Sequence, residues 1–128
     1  MIIEVDNERE YIPAWNNNRQ GDEPIKITHR FLKAGERKKF IYTKPIRLNV
    51  GEGTVSDEVD YIQDQEGIAK ALITKIENLK VKDKKSDKVI EVKDINTFYQ
   101  TSGIPQALVS EIENYILTAS PEVDTDFL

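Results

Sequence analysis

Residues 93–120 read KDINTFYQTSGIPQALVSEIENYILTAS, and this stretch decides the fold. Ile104-Pro105 opens a helix, because proline fits the first helical turn, where its missing N–H is not needed. Leu108, Ile112, Tyr115 or Ile116, and Ala119 then recur at spacings of three and four. That spacing makes one apolar stripe along a helix over 105–119. Glu111, Glu113 and Asn114 fall on the opposite side, where water is expected. Ser120-Pro121 stops the helix, since proline cannot continue the backbone ladder. Upstream, Asp94 is placed to cap a short turn of helix over 95–101, and Gly103 to end it. The stretch reads as the docking helix of a small α+β domain.

The layer beneath that helix has to come from strands. Residues 25–31, IKITHRF, alternate strictly: Ile25, Ile27, His29 and Phe31 face one way, and Lys26, Thr28 and Arg30 the other. This is a strand with one covered face. Residues 46–50 alternate again. Residues 75–81 and 88–92 read as a hairpin around a purely polar tip, 83–87. The expectation is a short antiparallel sheet of these four strands. Ile2, Ile3 and Val5 suggest a further short edge strand.

Two more helices are expected. Residues 34–43 contain Glu36, Arg37 and Lys38, which favour helix, with Phe40 and Ile41 as a buried side and Pro45 as the stop. Ser56, Asp57 and Glu58 look like a helix start: a capping hydroxyl, then acids in the first turn. With Val59, Ile62, Ala69, Leu72 and Ile73 near helical spacing, this predicts a second main helix over 57–73, weakened at Gly67.

The chain has 128 residues, one domain's worth. Residues 1–24 read as an N-terminal arm and polar loop, and 121–128 as a flexible tail. Net charge is −5, which argues against a general nucleic-acid or anionic-membrane binder. There is no cysteine, so disulfides, thiolate nucleophiles and cysteine metal sites are excluded. No segment approaches the roughly 18 apolar residues of a membrane span, and the acidic start MIIEVDNERE lacks the pattern of a signal peptide. A cytoplasmic location is expected.

Chemistry-bearing motifs are scarce. His29, the single histidine, reads as a half-buried, hydrogen-bonded residue with no nucleophile beside it. Gly51-Glu52-Gly53 lacks the glycine spacing and lysine of a phosphate loop. Asp60, Asp64 and Glu66 lack the ligand alternation of a calcium loop. Residues 95–119 have a helix–turn–helix outline, yet the second helix carries Glu111 and Glu113 and no Lys or Arg, so it would repel phosphates. No catalytic, cofactor-binding or metal-binding residue is expected, and the chain reads as a non-enzyme.

Three segments carry a family resemblance: residues 11–42, YIPAWNNNRQGDEPIKITHRFLKAGERKKFIY; residues 73–81, ITKIENLKV; and residues 103–117, GIPQALVSEIENYIL. In pattern and order of elements the chain resembles, over 11–120, small proteins encoded among the tail genes of long-tailed bacteriophages, several of them classed as tail assembly chaperones. The resemblance implies a non-enzymatic protein of the infected bacterial cytoplasm. Such a protein coats the tape-measure protein, keeps its long apolar helices soluble and recruits tail-tube subunits. It would need exposed apolar surface. Trp15, the Ile25, Ile27 and Phe31 face, and Phe40 with Tyr42 are the partner-binding candidates. Trp15 also reads as a core anchor for the polar loop 16–24. The strand 25–31 is expected to offer an edge to a partner or to a second copy in a homo-oligomer. Two other readings are a structural virion component, such as a tail-completion or head–tail connector protein, and a small host-directed binding protein.

Overall fold

The computed structural model describes residues 1–4, 7–50 and 54–119. In chain order the elements are β1 (Arg9–Tyr11), a 3-10 segment (Trp15–Gln20), β2 (Lys26–His29), a second 3-10 segment (Ala34–Phe40), β3 (Ile41–Val50) and β4 (Thr54–Gln63). Then come α1 (Gln65–Leu72), β5 (Ile73–Glu77), β6 (Leu79–Lys82), β7 (Val89–Val92), α2 (Ile95–Gln100) and α3 (Gln106–Ala119). The class is α+β, as the sequence predicts.

The alternation in 25–31 does produce a strand with one covered face. Ile27 and His29 of β2 are buried, while Lys26 and Thr28 are partly exposed. β2 is the middle strand of an antiparallel sheet ordered β1-β2-β5. Ile27 pairs with Tyr11 on one side and Ile76 on the other. Both long edges of β2 are therefore taken, which corrects the expectation that this strand offers an edge to a partner. Ile25, Ile27, Ile73 and Ile76 form one core with Ile68, Ala69 and Leu72 of α1, Ile95 and Phe98 of α2, and Leu108, Ile112 and Ile116 of α3. The i, i+4, i+8 spacing of those last three is the apolar stripe seen in the sequence.

Each described helix start has a local chemical cause. The Pro105 carbonyl accepts from the N–H groups of Leu108 and Val109, so α3 begins where proline fixes the backbone. Asp94 caps α2 by accepting from the Thr97 N–H at 2.8 Å and its hydroxyl at 2.9 Å. Asp64 caps α1 by accepting from the Gly67 N–H at 2.9 Å. Gly103, between α2 and α3, has φ 92°, a conformation that glycine adopts without cost.

Several expected elements differ. The expected helix over 34–43 is a 3-10 segment that ends at Phe40 and runs straight into β3. Isoleucine, tyrosine and threonine at 41–43 favour strand over helix. The expected helix over 57–73 is strand β4 as far as Gln63, and only 65–72 is helical. The cap is Asp64, not Ser56. The expected strand over 75–81 breaks at Asn78, whose φ of 64° turns the chain out of the first sheet. That turn separates β5 from β6, and the strands form three small sheets rather than one. Ile2 and Ile3 are exposed and belong to no strand, and Val5 and the tail 121–128 lie outside the described residues.

β3 and β4 form a two-stranded antiparallel ribbon, ten residues each, with Ile41 opposite Gln63 and Val50 opposite Thr54. At its base the Asp64 N–H donates to the Phe40 carbonyl at 2.7 Å. That bond fixes the parity of the ladder. Even-numbered residues on both strands exchange bonds within the ribbon, and odd-numbered residues turn their N–H and C=O groups outward. Pro45, opposite Val59, is odd, so its missing N–H costs no ladder bond.

Candidate functional site

The densest polar cluster of the described residues sits where α3 meets the N-terminal segment. Its centre is Glu111, half-buried on α3. One carboxylate oxygen accepts from the Tyr11 hydroxyl at 2.6 Å and from the Ala14 N–H at 2.7 Å, and the other accepts from the Trp15 N–H at 2.9 Å. Burial, followed by the bond to Glu111 and its negative charge, pushes the Tyr11 phenol up to about 12. The Tyr11 ring stacks on Tyr115, with centroids 3.7 Å apart and planes 13° apart. Glu111 was expected in water; it anchors the N-terminal segment instead.

Beside this stack lies His29, buried at 1 % exposure rather than half-buried. Its Nε2 is 2.9 Å from the Tyr115 hydroxyl and its Nδ1 is 3.1 Å from the Arg30 carbonyl. The carbonyl can only accept, so Nδ1 carries the proton and Nε2 accepts from Tyr115. Burial lowers the His29 pKa; the Arg30 carbonyl opposes this and the nearby Arg9 charge adds to it. The imidazole is a satisfied, neutral core group.

The polar loop after Trp15 is also ordered by bonds. Asn16 and Asn17 take left-handed φ values of 51° and 59°, which asparagine tolerates better than most residues. The Asn18 amide closes the loop: it donates to the Pro13 and Ile25 carbonyls and accepts from the Ile25 N–H at 2.7 Å. After β2, Arg30 grips Glu36 through two bonds of 2.7 and 2.8 Å. With the Lys33 N–H, that pairing holds the Glu36 carboxyl down at about 2. On α3, Glu113 accepts from the Tyr99 hydroxyl at 2.7 Å, so it too leaves the wet face assigned to it.

These placements bear directly on the partner-binding candidates. Ile25 and Ile27 are buried at 8 % and 0 % exposure, so they belong to the core and present no surface. Trp15 and Phe40 are partly buried and pack against that core. Trp15 thus occupies the anchor position for its loop. Phe31 is partly exposed, with the Arg9 guanidinium 5.1 Å from its ring centre. The side chain of Tyr42 lies outside the described residues.

Exposed apolar surface lies elsewhere. Leu79 pairs with Val92 and Val81 with Ile90 along the hairpin of β6 and β7. Leu79 and Val92 are buried at its root; Val81 is partly exposed, and Ile90 is 49 % exposed. Residues two apart on a strand share a face, so this is one apolar strip running from the core into solvent. Val89, 57 % exposed, adds apolar area on the reverse face. Met1, Ile2 and Ile3 are also exposed. The strip was missed because Lys80, Lys82, Lys88 and Glu91 make the hairpin read as solvated. The signal was present in the alternation of Leu79 and Val81 with those lysines.

Among the described residues no group of three His, Cys, Asp or Glu side chains is placed to hold a metal ion, and no helix is long and apolar enough to cross a membrane. No protein-family model, curated protein or solved structure matches the chain.

Proposed function

We propose that this chain is a non-enzymatic assembly factor of the kind its pattern resembles, a tail assembly chaperone that binds a tape-measure protein and recruits tail-tube subunits. It acts in the cytoplasm of an infected bacterium. The apolar strip of the β6–β7 hairpin carries the reading. Val81 and Ile90 continue the core outward, and an amphipathic helix laid along them would bury its own apolar face there. The polar groups of the most chemically dense cluster, around Glu111 and His29, are engaged with one another, which supports a structural role for them.

The test is co-expression with a tape-measure protein from the same genome, followed by pull-down. The two should co-purify, and the tape-measure protein should become more soluble. If they never co-purify and solubility is unchanged, the assembly reading fails.

A further inference from the structure

The ribbon of β3 and β4 has two outer edges, and the sequence treats them differently. Among the described residues neither edge has a third strand beside it. On β3, Pro45 falls at an outward-facing position and removes a donor from the middle of that edge. On β4, the outward positions are Val55, Asp57, Val59, Tyr61 and Gln63, and every one keeps its N–H. One edge is blunted, and the other is an unbroken template for a further strand.

Charge narrows the occupant. β4 carries Asp57, Glu58 and Asp60 and no basic residue. Lys44 and Arg47 of β3 stand opposite Asp60 and Asp57, whereas Glu58 stands opposite Ile46. A second β4 strand, added antiparallel about Val59, would set Glu58 opposite Asp60 twice, and like charges directly opposed are destabilising. The chain's own residues 120–128 contain Glu122, Asp124 and Asp126 and no base, so they meet the same objection. We propose that the β4 edge binds an extended basic segment of a partner protein by strand addition, with Lys or Arg at the positions facing Glu58 and Asp60. This rests on the reading of the chain as a protein-binding factor and adds a second contact, distinct from the hairpin strip.

The probe is a blocked ten-residue peptide alternating lysine and valine, titrated into the isotope-labelled full chain. Amide hydrogen exchange at Val55, Asp57, Val59 and Tyr61 should slow, and exchange at Thr43 and Arg47 should not. Val59→Pro removes one outward N–H without cutting a bond to β3, just as Pro45 does across the ladder. It should weaken peptide binding about tenfold, the equivalent of leaving one backbone acceptor unmet. Glu58→Lys should weaken the basic peptide and favour a valine–glutamate counterpart; it decides the matter if Val59→Pro fails to fold. The proposal is overturned by no binding at millimolar peptide, by protection on the β3 edge, by affinity that Glu58→Lys leaves unchanged, or by self-association of the chain through β4. Failure here with the tape-measure pull-down intact removes only this edge. Success here with a failed pull-down removes only the assembly reading.

Discussion

The hydroxyl of Tyr11 lies 2.6 Å from a carboxylate oxygen of Glu111, across a sequence separation of 100 residues. The same carboxylate also serves the N–H groups of Ala14 and Trp15. One side chain of α3 thus satisfies three donors of the N-terminal segment.

Removing that acceptor strands all three donors. Glu111→Ala should destabilise the chain by about 2–3 kcal/mol, since the part-buried Tyr11 and Trp15 donors lose their partner without a compensating gain. Glu111→Gln keeps an acceptor and should lose less. Urea unfolding followed by Trp15 fluorescence measures both, and equal stability of Glu111→Ala and the parent would refute the anchoring role.

His29 predicts a pH dependence of definite sign. Its folded pKa lies below the ordinary value of 6.5, chiefly through burial. The unfolded chain therefore takes up the proton first as the pH falls. Stability from this residue is full above 6.5 and declines below it, down to the folded value. Urea midpoints at about pH 7.5 and pH 5.5 should differ in the parent, and His29→Gln should flatten that difference.

The Arg30–Glu36 pair titrates lower. Glu36 is held near 2 against an ordinary 4.5, mainly by its bonds to Arg30 and then by the Lys33 N–H. Its contribution is present above 4.5 and is lost as the pH falls through about 2. With Glu36 only 16 % exposed, Glu36→Gln should cost about 1–2 kcal/mol at neutral pH after solvent screening. The gap to the parent should close in acid; a gap that stays constant from neutral pH to pH 2 would contradict this account.

Ile90 separates stability from binding. It is 49 % exposed, so Ile90→Lys should change stability by no more than about 0.5 kcal/mol. Under the proposed function it should nonetheless abolish recovery of the tape-measure protein in pull-down. Unchanged recovery would remove the hairpin strip from the interface.

Local chemistry made α2, α3 and β2 legible: a capping Asp94, a proline at 105, and strict alternation over 25–31. Residues 57–63 misled because Ser56, Asp57 and Glu58 imitate a helix start, while the competing signal is non-local. Lys44 with Asp60 and Arg47 with Asp57 are opposite charges placed symmetrically about Glu52, a hairpin signature that becomes visible only when two segments are read together. Ile25 and Ile27 were sound as apolar positions, but periodicity tells which face is greasy and not whether other elements cover it. The β6–β7 strip was hidden by its lysines for the converse reason.

The anchoring of Tyr11, Ala14 and Trp15 by Glu111 also constrains how the chain comes to be built. Translation delivers residues 11–15 long before residue 111 exists, so nascent β1 and its loop emerge without their acceptor. They wait until α3 leaves the ribosome, and only then can Tyr11, Ala14 and Trp15 lock onto Glu111.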